Sequence, residues 1–365
     1  MKVTAQTPLW TSTIVSLCVT ALLMLVPRLA DARVTPLGPV QIVHLDEIVR
    51  TVMGESHING LAMGVAEGGM TLYAHGYGFA DRARRVRTTP ATGFAIGSIT
   101  KSFTAAAVLT LVARGDLALN DRLGTLVPMY RRGHDVTLRD VLQQTSGIPD
   151  YTHLPSFDRS RRRPVSAHGL VGRIASLPLR FQPATDWAYS NTNYVLAALA
   201  VQRTSGQPYQ AYLQRALLTP LHLHRTHLAW PFLRNPDDAQ GNLPLGSPTL
   251  AFGSADLSSD VPDLLRWGSA LMAGRALPRR YARTLWQPAQ LATGQRIGYG
   301  EGLFLERDFG RRVAWASGYV NGFSAFFMLV PQRRVVIALL ANQNAVDLGP
   351  LARSILAIVL DARDP

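Results

Sequence analysis

The chain has 365 residues, of which 47% are hydrophobic, 17% charged and 8% aromatic. This composition can supply a large buried core, and it excludes an intrinsically disordered chain, a collagen and a small domain held together by disulfides. The formal net charge of +13 comes from 37 basic against 24 acidic residues, and all but two of the basic residues, Lys2 and Lys101, are arginines.

The N-terminus has the order of a secretory signal. Lys2 is followed by an apolar stretch over 14–26 and by an A-x-A pattern that ends at Ala32. This order predicts cleavage after Ala32, a signal peptide over 1–32, and a secreted or periplasmic protein with no integral membrane segment after cleavage. A retained anchor is the alternative, although the apolar run is short for a span of about 20 residues. Cleavage would also remove the single Cys18.

The patterns after residue 33 predict strands towards both ends of the chain and helices between them. Two apolar-rich segments around a Gly-Gly pair are typical of a hairpin, and a stretch dense in Ala, Leu and Val favours a buried helix. The predicted segments are, in chain order, strands 61–67 and 71–79, helices 98–114, 136–144, 187–204, 208–218 and 259–273, strands 299–306, 312–316, 322–330 and 334–342, and helix 350–362. We expect Ser258 or Ser259 to cap the helix over 259–273.

This order of elements predicts an α/β (α+β) fold. One antiparallel sheet is built from both ends of the chain and flanked by helices, and an all-α region is inserted between its two parts. We expect a single domain over 33–365, with the sheet region at about 40–118 and 290–365 and the all-α region at about 119–289.

The positive charge does not by itself indicate a nucleic-acid partner. The basic residues are mostly scattered, with no helix-turn-helix, zinc-ligand spacing or interleaving of aromatic and basic residues. We expect a solvated surface, and an exposed loop at the basic run 159–163, because runs of like charge are usually solvated. A cationic nucleic-acid or envelope-surface protein is an alternative that predicts salt-dependent DNA binding, and it rests on net charge alone.

Lys101, the one lysine of the predicted mature chain, follows Ser98 by three positions. Residues three apart on a helix share a face, with about 5–6 Å between their Cβ atoms. A serine hydroxyl needs a neighbouring base to become a nucleophile. A buried amine can lose its proton, whereas a guanidinium cannot. The alternative, a Ser98 N-cap beside a solvated Lys101, puts a cation in the first helical turn, where the helix dipole disfavours it.

The segment 97–104, Gly-Ser-Ile-Thr-Lys-Ser-Phe-Thr, resembles the S-x-x-K element of the serine β-lactamase and penicillin-binding protein superfamily. The class C β-lactamase-like branch is the most similar, and 115–121, 136–149 and 253–260 resemble further stretches of it, with Gln144 where His is usual. The resemblance implies a β-lactamase/transpeptidase-like fold, no cofactor, and a small-molecule or peptidoglycan-like substrate. The oligomeric state stays open.

Tyr189-Ser190-Asn191 resembles the second element of this branch, Y-x-N. A phenol with a pKa near 10 is a poor base at neutral pH. A nearby ammonium favours the phenolate, so Tyr189 and Lys101 can share a proton and deprotonate Ser98. The resemblance implies that Tyr189 later protonates the leaving group and that Asn191 orients Lys101 and the substrate. The alternative is that Tyr189 is a half-buried core residue.

The third element departs from the branch. Ala316-Ser317-Gly318 stands where K-T-G or H-x-G is usual, so Ala316 replaces the cation that meets a substrate carboxylate. Ser317 retains a hydrogen-bonding group, and Gly318 lets the strand approach the substrate closely. By resemblance, the backbone N–H of Tyr319 joins that of Ser98 as the oxyanion hole.

A cluster of three histidines, His222, His224 and His227, does not have the spacing of metal ligands, so we expect no metal site. The leading hypothesis is a secreted serine hydrolase acting through an acyl-enzyme on an ester, D-amino-acid amide or β-lactam-like bond. Ala316 favours esters or D-amino-acid amides. The alternative, also motivated by Ala316, is a catalytically weakened penicillin-binding or scaffold protein of the same fold.

Overall fold

The computed structural model describes residues 36–155, 157, 164–228, 238–242 and 251–361. These residues lie in one compact unit that covers Val34–Pro365. The predicted signal peptide (1–32) and the basic run 159–163 lie outside the described residues.

Strands from both ends of the chain meet in one antiparallel sheet, as predicted. In chain order the strands are β1 Gly60–Glu67, β2 Met70–Asp81, β3 Val86–Arg87, β4 Phe94–Ala95, β5 His227–Leu228, β6 Leu257–Ser259, β7 Ala289–Gln290, β8 Arg296–Ile297, β9 Phe304–Asp308, β10 Arg311–Val320, β11 Phe323–Val330 and β12 Val335–Ala341. A seven-stranded sheet has the order β3-β2-β1-β12-β11-β10-β9, and β4-β6-β5 and β7-β8 pair separately. β1 pairs with β12, with Leu61 opposite Ala341, so the strands from the two ends of the chain form one sheet.

Helices cover both faces of this sheet. In chain order they are α1 Pro39–Glu55, α2 Thr100–Arg114, α3 Leu123–Leu126, α4 Leu138–Leu142, α5 Ala167–Ile174, α6 Asn191–Ser205, α7 Tyr209–Leu213, α8 Val261–Ala273, α9 Arg279–Ala282 and α10 Gly349–Asp361. Alternate residues of a strand point to opposite faces, and β12 follows this rule. Ile337 packs in the cluster that holds buried residues of α1 and α10, and Ala338 packs in the cluster that holds those of α2, α6 and α8. The mixed α/β fold with helices between the two parts of the sheet is therefore confirmed.

Several predicted boundaries are wrong, for local reasons. Asp260, rather than Ser258 or Ser259, caps α8, because its carboxylate accepts the backbone N–H of Asp263 at 2.8 Å. Both serines lie in β6 instead. The predicted helix 187–204 begins only at residue 191, and the one over 208–218 changes from α7 to a π-helical turn at 214.

Helix α1 is not predicted from the sequence. Its Leu45 and Val49 are buried against the sheet, but Val40 and Val43 are 65% and 53% exposed. Because apolar residues lie on both sides of this helix, its sequence lacks a clear amphipathic stripe.

A buried aromatic pair fastens α2 to α8. Trp267 of α8 stacks on Phe103 of α2 with ring centroids 4.2 Å apart, and both side chains are fully buried. The Trp267 indole N–H donates to the Ser102 hydroxyl at 3.1 Å, and this hydroxyl in turn donates to the Ile99 carbonyl at 2.8 Å. The pair therefore holds the first turn of α2 in place.

We expect Trp267→Ala to lower the free energy of unfolding by about 3–5 kcal/mol, because it removes a large buried side chain and leaves a cavity. Urea unfolding followed by circular dichroism measures this change. The control is Val43→Ala on the exposed side of α1, for which a change within about 0.5 kcal/mol is expected. Equal losses in the two variants would contradict this account of the core.

Candidate active site

Ser98 lies in the 3₁₀-helical turn Gly97–Ile99, immediately before α2. Ser98 is half-buried, whereas its neighbours Gly97 and Ile99 are buried. Gly97 has a φ of +51°, and a Cβ at this position would stand 2.7 Å from the backbone nitrogen of Tyr319. The turn therefore needs a glycine, and β10 passes directly beside Ser98.

The Lys101 amine is buried and lies within hydrogen-bonding distance of three oxygen atoms. Its side chain is 1% exposed. Nζ is 3.0 Å from Ser98 Oγ, 2.8 Å from Asn191 Oδ1 and 2.9 Å from the backbone carbonyl oxygen of Ser254. Burial lowers the pKa of Lys101 to about 7, although the negative charges of Asp150 and Asp256 oppose this change.

These three partners determine the direction in which the lone pair of a neutral Lys101 points. A neutral amine has two N–H donors and one lone pair. The Asn191 amide oxygen and the Ser254 carbonyl can only accept hydrogen bonds, so they take the two N–H groups of Lys101. The lone pair is then left facing the Ser98 hydroxyl. This is the arrangement that a base needs in order to remove the proton of a serine nucleophile.

Tyr189 precedes α6 and lies over the same hydroxyl. Its ring centroid is 4.9 Å from Lys101 Nζ, and the neighbouring Ser98 side chain acts to lower the pKa of its phenol. Phe304 stacks on its ring with centroids 6.0 Å apart. Burial raises the pKa of Tyr189 well above its usual value, and the neighbouring Tyr299 adds to this rise. The direction is opposite to the one expected from a neighbouring ammonium, so the phenol keeps its proton at neutral pH.

Asn191 is the first residue of α6 and is held from both ends of its amide. Its oxygen faces Lys101, and its Nδ2 donates to Asp150 Oδ2 at 2.9 Å. Asp150 is 5% exposed, and its other oxygen accepts the backbone N–H of Thr152 at 2.9 Å. The sequence Gly147-Ile148-Pro149-Asp150 thus ends in a buried carboxylate beside the site.

Gln144, the departure from the resembled motif, supports the turn that carries Tyr189. It has a φ of +64° and is fully buried. Its side-chain oxygen accepts the backbone N–H of Ser190 at 3.0 Å and the Asn193 amide at 2.6 Å. The glutamine side chain thereby fixes the backbone at Ser190, which lies between Tyr189 and Asn191 at the start of α6.

Strand β10 forms the other wall of the site. β9 pairs with β10 only as far as Trp315, so within the described ranges the stretch 316–320 has no strand on that side. Ala316 packs with the cluster that includes α2, whereas Trp315 stacks on Phe326 in the opposite cluster. The side chain at 316 therefore faces the helices that carry the site, and it is a methyl group.

The next three residues of β10 have different surroundings. Tyr319 is 45% exposed, and the neighbouring Ser317 side chain acts to lower the pKa of its phenol. A Cβ on Gly318 would overlap the carbonyl oxygen of Ile96. Gly318 is therefore needed for the approach of β10 to the Ser98 turn, in addition to the expected approach to a substrate.

The structure thus brings Ser98, Lys101, Tyr189 and Asn191 together and places the backbone of Tyr319 beside the Ser98 turn. Their chemical roles stay predictions. Three further groups of the site, Asp150, Asp256 and the Ser254 carbonyl, are not predicted from the sequence. The buried carboxylates stand directly after or within motifs already noted, at 136–149 and 253–260, but a backbone carbonyl gives no signal in a sequence.

The described residues contain no group of three or more His, Cys, Asp or Glu side chains that could hold a metal ion. The His227 ring contacts the Ser258 hydroxyl instead, with Nδ1 at 3.1 Å. Within the same ranges, no helix is long and apolar enough to cross a membrane.

Comparisons with known proteins concern the family and the fold of the chain. A family model described as Beta-lactamase matches residues 45–360. Protein flp of Staphylococcus aureus (strain NCTC 8325 / PS 47) is 29% identical over 82% of this chain and 63% of its own length. The chain therefore spans less than two thirds of that relative.

Two solved structures share the fold. The octameric penicillin-binding protein homologue from Pyrococcus abyssi superposes with a TM-score of 0.78 at 24% identity, over 88% of this chain and 77% of that one. The D-amino acid amidase from Ochrobactrum anthropi SV3 has a TM-score of 0.74 at 21% identity, over 88% of this chain and 98% of that one.

We expect Gly318→Ala to slow the reaction of Ser98 with a fluorophosphonate on the order of 10²-fold, because the added methyl group forces β10 away from the Ser98 turn. Intact-mass spectrometry over time measures the rate of adduct formation. Gly172→Ala in α5, where a Cβ would meet nothing within 4 Å, is the control and should react at the native rate. A native rate in Gly318→Ala would contradict the tight contact.

Proposed function

The chain belongs to the Beta-lactamase family, and on this premise we propose that it is a secreted serine hydrolase that acts through an acyl-enzyme on an ester or a D-amino-acid amide. One observation carries the proposal. The buried Lys101 amine, with its lowered pKa, lies 3.0 Å from the Ser98 hydroxyl and has its other hydrogen-bonding positions occupied. The signal pattern that ends at Ala32 supports secretion.

In the acylation step, Lys101 takes the proton of Ser98 as Oγ attacks the carbonyl carbon of the substrate. The backbone N–H groups of Ser98 and Tyr319 receive the negative charge that develops on the carbonyl oxygen. Tyr189, which keeps its proton, donates it to the leaving alcohol or amine. The Lys101 ammonium beside its ring then returns a proton to the phenolate.

In the deacylation step, a water molecule attacks the carbon of the Ser98 ester. Its proton passes to the same Lys101 and Tyr189 pair, and Ser98 leaves with a proton from that pair. The carboxylic acid is released, and the starting protonation states are restored. No group other than the substrate and water is consumed.

Ala316 supports the choice of substrate. A methyl group stands where the resembled motif has a cation for a substrate carboxylate. The charged group that acts on the nearby Tyr319 phenol is a carboxylate, Asp347. A substrate with a carboxylate beside the scissile bond would gain nothing from these residues. A neutral ester fits better, and so does an amino-acid amide with its ammonium, the substrate type named for the Ochrobactrum amidase.

The same alanine favours a second candidate function, a penicillin-binding protein with little turnover. In that case a penicillin would form an adduct on Ser98 that is stable in intact-mass spectra, and no ester in a panel would be hydrolysed. Turnover of any ester or D-amino-acid amide favours the hydrolase.

We expect Ser98→Ala to reduce hydrolysis of the reactive substrates in a panel of nitrophenyl esters, D-amino-acid amides and nitrocefin by at least about 10³-fold, because the covalent step is lost. The panel is read by absorbance and by ammonia release. The control is Ser56→Ala at the end of α1, on the other face of the sheet. Unchanged hydrolysis by Ser98→Ala would show that another nucleophile is responsible.

Ala316→Lys tests the substrate preference. The added ammonium restores a partner for a substrate carboxylate, so the ratio of kcat/KM for nitrocefin to kcat/KM for a neutral ester should rise about 10-fold or more. Thr51→Lys adds the same charge on the exposed side of α1 and should leave the ratio unchanged. A ratio that is the same in Ala316→Lys and the native protein would remove Ala316 from the account of specificity.

A further inference from the structure

Asp150 is connected to the site through Asn191. Among the described residues, it forms no hydrogen bond with Ser98 or Lys101. Its Oδ2 accepts from the Asn191 amide at 2.9 Å, and the Asn191 oxygen accepts from Lys101 at 2.8 Å. A chain of hydrogen bonds therefore runs from Asp150 through Asn191 and Lys101 to Ser98. Asp150 itself is 5% exposed.

An amide side chain has two ends of opposite hydrogen-bonding character, and a half-turn about its last bond exchanges them. In the observed orientation, the Asn191 oxygen accepts an N–H of Lys101, and the lysine lone pair faces Ser98. After a half-turn, the Asn191 NH₂ group would face Lys101 and could donate to that lone pair. The lone pair would then be occupied by Asn191 instead of the Ser98 proton.

An ionised carboxylate accepts hydrogen bonds and donates none. Asp150 can therefore pair with the NH₂ end of Asn191 and repels its oxygen end. We propose that Asp150 is a positioning residue that locks the Asn191 amide in the one orientation that leaves the Lys101 lone pair directed at Ser98. This inference rests on the proposed function for its catalytic consequence, but the orientation of Asn191 and its effect on Lys101 do not depend on turnover.

Asp150 also contributes charge to the lysine. The titratable groups that face Lys101 are Asp150, Asp256, Tyr189 and Tyr194, the last with its ring centroid 5.6 Å from Nζ. The two carboxylates raise the pKa of Lys101 against the effect of burial. Burial raises the pKa of Asp256 itself to about 7, so the charge of Asp256 changes over the same pH range, and Asp150 is the larger of the two contributions. Removal of the Asp150 charge should therefore lower this pKa further, so that the rise of activity with pH moves to lower pH.

The test compares Asp150→Asn with the native protein. The new amide can donate as well as accept, so both orientations of Asn191 become possible. Because the productive orientation would then be only partly populated, we expect kcat and the rate of fluorophosphonate labelling to fall about 2- to 10-fold at pH 8, with little change in KM. We also expect the acidic limb of the labelling rate to move to lower pH.

Asp140→Asn is the matched control. Asp140 is also a buried carboxylate of the helical region. It forms the capping box of α4 with Thr137, and it accepts a hydrogen bond from the Thr145 hydroxyl. Its substitution should lower the melting temperature without moving the acidic limb of the curve of labelling rate against pH. An equal shift of the limb in both variants would reduce Asp150 to a structural residue.

In the double variant D150N/N191D, which exchanges the two side chains, the pKa of Lys101 should move in the opposite direction. It keeps a donor and an acceptor between the two positions and presents an acceptor to Lys101, but it moves the negative charge next to the amine. The pKa of Lys101 should therefore rise above the native value. This variant also carries the test if Asp150→Asn does not fold.

A readout that does not need activity separates this proposal from the proposed function. Because the chain has two lysines, a Lys2→Arg background with ¹³C-labelled lysine has one lysine ε signal, and its pH titration reports Lys101 alone. A lower pKa in Asp150→Asn and a higher one in the exchanged pair support the proposal even if no substrate is turned over. Native values in both variants would overturn it, whereas failure of Ser98 labelling in the native protein would overturn only the function.

Discussion

The site depends on the burial of one amine among acceptors. In water a lysine keeps its proton far above neutral pH, with an ordinary pKa of about 10.4. Here the loss of hydration outweighs the attraction of Asp150 and Asp256, and the balance brings the pKa of Lys101 to about 7. An arginine at this position would stay charged, which gives a physical reason for the one lysine in a chain that otherwise uses arginine after residue 2. The proposed role of Ser98 as the nucleophile depends on this balance.

The fold holds this environment together from segments that are far apart in sequence. The 3₁₀-helical turn with Ser98 enters α2, the Tyr189 turn enters α6, and the loop before β6 supplies the Ser254 carbonyl. The sheet closes through β1 and β12 and carries β10 up to the Ser98 turn, where Gly97 and Gly318 remove the side chains that would keep the backbones apart. Trp267 also fastens α2 to α8, so the element that carries both Ser98 and Lys101 is held against the rest of the helical region.

The parts of this arrangement that are local in sequence could be predicted, and the parts that depend on packing could not. The three-residue spacing of Ser98 and Lys101 is set within one helical turn, and alternating apolar runs locate most strands of the sheet. Tyr189 and Asn191 needed the resemblance to a family, because a Y-x-N tripeptide has no meaning by itself. Asp150 resembles an ordinary turn residue after a proline, and the exposed valines of α1 obscure its helical stripe. The direction of the Tyr189 pKa also needed the structure, since burial and a nearby ammonium act in opposite directions.

The proposed mechanism requires Lys101 to be a neutral base at the pH at which Ser98 reacts. The most direct measurement is the titration of the Lys101 ε-carbon by ¹³C NMR in the protein with an otherwise unaltered site. We expect a midpoint near pH 7, with the neutral amine as the main form at pH 8. A midpoint near the ordinary lysine value of about 10.4 would mean that the amine stays charged, and it would contradict the role of Lys101 as the base.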